Sequence, residues 1–181
     1  MTMIGMTQEL LYPLSLFRQN GGGPLPFFEV LEPAVVPEPY RALLVHDGDM
    51  TSRLEAYHGG SIVLEVLHCE ETPEAYRREV VLHAERSGLP VEYGAIEINL
   101  AAFEAPVRAA ILEAHLPLGG VLNCFNVTYR SEPKAFIRLG PDAIMNEVFG
   151  VCGAAEFYGR CNVLLGPRED VLARIVEVLR P

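Results

Sequence analysis

The stretch that decides the fold is residues 61–99, SIVLEVLHCEETPEAYRREVVLHAERSGLPVEYGAIEIN. Three runs in it, Ser61–His68, Arg77–Glu85 and Val91–Asn99, are rich in β-branched and apolar residues, and the last alternates in period two. Glu71-Thr72-Pro73 and Ser87-Gly88-Leu89-Pro90 separate them with turn-forming residues. Strand, turn and strand in succession predict an antiparallel meander. The C-terminus repeats the pattern: Cys161–Leu165 and Val171–Leu179 read as strands around the turn Gly166–Asp170, and only Arg174 and Glu177 carry charge inside the final run.

Helical periodicity flanks these runs. Tyr40, Leu43 and Leu44 share one face, and Asp47-Gly48-Asp49 breaks that segment. A short helix follows, with Thr51 as its expected N-cap and Gly59-Gly60 as its stop. Residues 103–114 place Phe103, Val107 and Ile111 on one stripe. After the apolar turn Leu116–Gly120, Val121–Tyr129 reads as a strand, and Lys134–Val151 as a polar turn with a short apolar run. Residues 1–38 contain GGGPLP and EPAVVPEP, which exclude a long helix. We expect this segment to pack on the core of a domain covering 39–181, a single α+β unit of antiparallel sheet with a few helices.

Composition narrows the function. The 181 residues are half hydrophobic and carry a net charge of −10, so a nucleic-acid partner is not expected. No DNA-binding segment is read in the chain, and no run is long and apolar enough for a membrane span. The N-terminus lacks the features of a secretory signal, giving an expectation of a cytoplasmic protein, monomeric or in a small homo-oligomer. Four widely spaced cysteines, Cys69, Cys124, Cys152 and Cys161, read as buried hydrophobes, with no zinc spacing among them. There is no Gly-rich phosphate loop, GxSxG elbow or HExxH, and nothing argues for a metal or cofactor.

Six short segments in register resemble one family. Asp49-Met50-Thr51-Ser52-Arg53-Leu54-Glu55, Arg78-Glu79-Val80-Val81-Leu82, Gly88–Gly94, Pro117-Leu118-Gly119, Tyr158-Gly159-Arg160 and Val176–Pro181 are similar, in order and spacing, to segments of the chorismate–pyruvate lyases (4-hydroxybenzoate synthases). The match runs from about residue 43 to the C-terminus. The resemblance implies a chorismate lyase-like domain with a buried ligand cavity. It also implies a cofactor-independent carbon–oxygen lyase of aromatic biosynthesis that converts chorismate to 4-hydroxybenzoate and pyruvate. It assigns the substrate carboxylate to Arg78 and to the backbone amides of Met50 and Leu118, places Arg160 in the substrate-binding set, and gives Glu177 the ring hydroxyl and a role in proton handling. Arg78 and Glu177 would then be the catalytic pair.

General chemistry points the same way: a carboxylate in an apolar cavity needs a planar bidentate donor or backbone N–H groups. Period two places Glu177 with Ile175 and Leu179 on one face of the last strand. Three departures stand out. Tyr158 replaces the family's Trp, Cys161 its second Arg, and Ala95 an Arg after the hairpin glycine. Arg77 or Arg130 is expected to compensate. Glu97 stands where an apolar residue is usual.

Two other readings are open. The same fold can serve as a non-catalytic binding protein for a small aromatic acid. An unrelated α+β interaction subunit would have no buried arginine beside a buried carboxylate. In the plainest reading of the residues, Arg78 pairs with Glu79 or Glu65 on a sheet surface, Glu177 faces solvent on an edge strand, and His83 and His115 are core or surface residues.

Overall fold

The computed structural model describes residues 9–153 and 156–181. Seven strands form one antiparallel sheet: β1 (Phe28–Leu31), β2 (Ile62–Glu71), β3 (Ala75–Ala84), β4 (Leu89–Asn99), β5 (Arg130–Leu139), β6 (Phe157–Leu165) and β7 (Val171–Leu179). Their spatial order is β1-β5-β6-β7-β4-β3-β2. Two three-stranded meanders, β2-β3-β4 and β5-β6-β7, therefore meet along the β4–β7 seam, where Gly94 lies opposite Glu177 and Ile96 opposite Ile175. The described helices are α1 (Leu14–Phe17), α2 (Tyr40–Leu44), α3 (Met50–His58), α4 (Ala105–Glu113), α5 (Leu118–Cys124) and α6 (Ala143–Phe149). The architecture is α+β and single-domain, as the sequence predicts, and none of these helices is long and apolar enough to cross a membrane.

Period two divides the strand residues between two faces. Val81, Tyr93, Ala95, Cys161, Val176 and Val178 form one core with Ile137 and Leu139, closed by Leu11, Leu14, Met145 and Phe149 from α1, α6 and the turn before α1. A buried ion pair, Arg18–Asp142 at 3.1 Å, sits on this side with the Arg18 guanidinium over the Tyr93 ring. The opposite face carries two clusters instead of one. Val36, Leu43, Leu44, Met50 and Leu54 cover one end of the sheet, and Phe103, Val107, Ile111, Leu118, Val121 and Leu122 cover the other.

Several boundaries differ from the sequence reading. The N-cap of α3 is Asp49, whose carboxylate accepts from Ser52 N at 2.7 Å; Thr51 lies inside the helix. Val121 is not in a strand. It belongs to α5, which turns Val121 and Leu122 into the core beside Ile111. An apolar run of that length has no periodicity to separate strand from buried helix. The 134–151 section comprises most of β5 and all of α6, whose N-cap Asp142 accepts from Met145 N at 2.8 Å. Among the cysteines only Cys161 is buried; Cys69, Cys124 and Cys152 are exposed free thiols.

Gly94 is needed for the seam to close. A Cβ built there would lie 2.2 Å from the Val176 carbonyl oxygen, a backbone atom that cannot step aside. In α5, a Cβ on Gly120 meets nothing closer than the Leu116 Cβ at 3.7 Å. Gly94→Ala should therefore cost about 3 kcal/mol or more through strain in the seam. Gly120→Ala should be neutral or stabilise by up to ~1 kcal/mol through helix propensity. Urea denaturation of both variants checks this, and equal stability would show that the seam tolerates a side chain.

Candidate functional site

The two clusters on the helix-covered face meet at a cavity. Its apolar wall includes Leu64, Val80, Leu82, Ile96, Leu164 and Ile175 from the sheet and Met50 and Leu118 from the starts of α3 and α5. Polar groups enter from four strands: Arg78 from β3, Glu92 from β4, Arg160 and Asn162 from β6, and Glu177 from β7. Strand register accounts for this convergence. Arg78 pairs with Ile96 and Arg160 with Glu177, and Glu177 lies opposite Gly94, two residues from Glu92 on the same face.

The two arginines are in different states. Arg160 is fully buried, donates from Nε to the Glu177 carboxylate, and donates from Nη1 to the carbonyl of His46 at 3.2 Å. Arg78 is 2% exposed and has no carboxylate partner; its Nη2 reaches the Leu116 carbonyl at 3.5 Å, and its guanidinium lies beside Tyr76, 5.8 Å from the ring centroid. Nε and Nη1 of Arg78 are buried without a hydrogen-bond partner. Burial pushes its pKa below the ordinary arginine value, a measure of what an unpaired buried cation costs.

Glu92 is the acidic counterpart. It is 5% exposed, and its Oε2 has no partner. Burial and the neighbouring Glu177 carboxylate raise its pKa well above 4.5, against a smaller opposing pull from Arg160. His46 closes this end. Burial, with Arg160 and Arg53 nearby, pushes its pKa down to about 4, and its Nδ1 accepts from Gly48 N while Nε2 contacts the Leu43 carbonyl. Asn162 hydrogen-bonds to Ser131 behind the cavity wall.

All five residues singled out from the sequence, Met50, Arg78, Leu118, Arg160 and Glu177, therefore line one cavity. Glu177 is on the central strand of the sheet, not an edge, and Arg78 is buried instead of surface-paired. Arg77 and Arg130 do not compensate for the absent arginines. Arg77 points to the opposite face, where it binds Glu97 at 2.7 Å and Tyr12 at 2.9 Å, and Arg130 is at the surface with Glu132 and Glu169. Glu97 thus serves a surface network that also includes Arg174. His83 and His115 pair with Glu65 and Glu113 at the surface. Glu92 was missed, although period two aligns it with Gly94 and Ile96. No group of acidic, His or Cys side chains among the described residues could hold a metal ion.

No family model matches the sequence, and no curated protein matches it. Solved structures do share the fold. PhnF from Mycobacterium smegmatis aligns with a TM-score of 0.56 and 13% identity over 74% of this chain and 64% of that one. The effector domain of PhnF gives a TM-score of 0.58 and 13% identity over 74% of this chain and 88% of that domain. The ligand-binding domain of a protein assigned to the GntR family of transcriptional regulators, from Bordetella bronchiseptica, gives 0.50 and 11%, covering 65% and 84%. This chain therefore spans less than two thirds of the length of PhnF.

These neighbours correct the expectation of an enzyme. One is an effector domain and another the ligand-binding domain of an assigned transcriptional regulator, so they carry the resemblance to chorismate–pyruvate lyases as far as the fold and give the lyase activity no support. Glu177, the carboxylate to which the resemblance assigns proton handling, is held by the Arg160 guanidinium. The same neighbours remove the ground for setting nucleic-acid function aside on charge alone.

Two expected outcomes follow from the buried charges. Arg160→Met leaves Glu177 and Glu92 together with no cation beside them and should cost about 3–5 kcal/mol at neutral pH, the usual penalty for breaking a buried pair. Urea denaturation measures it; unchanged stability would mean that the pair contributes nothing. The folded-state pKa of Glu92 lies above its unfolded value of about 4.5, so its contribution to stability is present below that pH and is lost as pH rises through the folded pKa. Glu92→Gln should accordingly gain stability relative to the parent as pH rises from 4.5, with no difference in slope below it. A parallel pair of stability curves would contradict this.

Proposed function

We propose that this chain is a binding protein for a small aromatic carboxylic acid, in which occupancy of the cavity and not turnover is the function. One observation carries the reading: Arg78 lines an otherwise largely apolar cavity, with its Nε and Nη1 buried and unpartnered. A guanidinium offers a carboxylate two edges, Nη1 with Nη2 or Nε with Nη2, each filled by two parallel hydrogen bonds, and each edge of Arg78 has an open nitrogen. The leucine, isoleucine and valine walls suit an apolar ring. Met50 and Leu118, each the first residue of a helix on the lining, bring backbone N–H groups toward the same anion. The effector and ligand-binding domains among the similar structures support a binding role.

Benzoate titrated into the protein by calorimetry tests this. The parent should bind it stoichiometrically, and Arg78→Gln should weaken binding by about 30-fold or more, the loss expected when a buried carboxylate is deprived of its charged donor. The variant should melt no lower than the parent, because it removes a guanidinium with two unsatisfied nitrogens. Benzoate binding that is absent from the parent, or unaffected by the substitution, would overturn the proposal.

A further inference from the structure

We infer that Glu92 is the specificity-determining residue of this cavity, meeting the end of the ligand remote from Arg78 and selecting monocarboxylates with an uncharged hydroxyl there over dicarboxylates. The inference rests on the reading of Arg78 as a carboxylate site and adds what the other end accepts.

The two ends of the cavity carry opposite surpluses. At the Arg78 end a guanidinium faces the cavity with no carboxylate beside it. At the other end two carboxyl groups, Glu92 and Glu177, share one guanidinium, and Arg160 donates its Nε to Glu177. Glu92 is left with Oε2 unpartnered and is itself 5% exposed. His46 lies behind Arg160 with its nitrogens engaged by Leu43 and Gly48, and Arg53 and Asp49 are near it. Arg160 keeps one nitrogen, Nη2, buried without a partner, so this end offers one open donor and the open Oε2 acceptor of Glu92, a pair that suits a hydroxyl better than a second carboxylate. Four residues of β4 separate Glu92 from Ile96, the partner of Arg78, which is roughly 13 Å along a strand. That spacing suits a para-substituted ring with a hydrogen bond at each end.

Gly94 keeps Glu92 and Glu177 in this relation. It lies opposite Glu177 and two residues from Glu92, and the seam leaves no room for a side chain on it. A second carboxylate from the ligand would make a third acidic group around one arginine. A hydroxyl can instead donate to or accept from the free edge of Glu92, satisfying a buried polar atom that otherwise has no partner. Charge is thus accepted at one end and refused at the other, and this gives selectivity through an unfavourable contact as well as a favourable one.

The test compares benzoate, 4-hydroxybenzoate and benzene-1,4-dicarboxylate by calorimetry on the parent, Glu92→Gln and Glu92→Leu. The parent should bind 4-hydroxybenzoate about tenfold more tightly than benzoate, and the dicarboxylate at least about tenfold more weakly than benzoate. Glu92→Gln, which keeps a hydrogen-bonding edge, should retain the hydroxyl preference; Glu92→Leu should erase it, so that 4-hydroxybenzoate and benzoate bind alike. A hydroxyl preference that survives in Glu92→Leu would pass the role to another residue and overturn the inference. So would a dicarboxylate that binds the parent as well as benzoate does, a result independent of whether either variant folds. Both results leave benzoate binding intact and so differ from failure of the carboxylate site itself. If no benzoate binds, the underlying reading falls, and this inference with it.

Discussion

The burial of Arg160 against Glu177 organises this molecule. A guanidinium taken out of water costs several kcal/mol unless a carboxylate and further acceptors replace its hydration. Here the carboxylate comes from the adjacent strand β7 and the carbonyl of His46 from the loop after α2. The pair sits beside the seam where the two meanders join, so the helix-covered face cannot carry one continuous apolar core. It carries two, and the cavity lies between them. The opposite face also carries a buried acid, Glu79, which accepts from the Tyr93 hydroxyl, yet Val81, Tyr93, Ala95, Val176 and Val178 pack there as one core.

Given that division, the remaining polar groups fall into place by register alone. Arg78, Ile96, Ile175 and Asn162 form one row across β3, β4, β7 and β6, and Val80, Gly94, Glu177 and Arg160 form the next. Rows one pleat apart present the unpaired guanidinium in the first and the paired one in the second. The two helices that close the cavity approach closely at their starts. A Cβ on Gly119 would meet the N-cap carboxylate of Asp49 at 3.1 Å and the Thr51 hydroxyl oxygen at 3.2 Å.

Much of this is legible in the sequence, for identifiable reasons. The β2–β3–β4 meander and β7 are long, apolar runs between Gly- and Pro-containing turns, where period and punctuation agree. Glu177 was traceable because a lone acid in an apolar strand must be explained. Elsewhere local signals fail. β5 contains Pro133 and alternating charges, so it does not resemble an internal strand, yet it pairs on both sides, with β1 and β6. α5 begins with Leu118-Gly-Gly and has no helical stripe; its state is set by packing against α4 and α3. Glu92 reads as an ordinary polar position in an alternating strand, and only the pairing of β4 with β7 makes it a second buried acid beside Glu177. The six-segment resemblance reached the fold and the cavity lining, but motif spacing does not record which arginine is already occupied. In the structure Arg160 is in an ion pair with Glu177, while Arg78 has no carboxylate partner.

The central claim is that the cavity holds a small carboxylate on Arg78 with its far end at Glu92. A crystal structure of the protein with 4-hydroxybenzoate tests it most directly. The carboxylate should accept hydrogen bonds from one edge of the Arg78 guanidinium, through Nε or Nη1, and the hydroxyl should lie within hydrogen-bond distance of Glu92, with the Arg160–Glu177 pair unbroken. A ligand seated outside the cavity, or one whose carboxylate makes no hydrogen bond to the Arg78 guanidinium, would contradict the account.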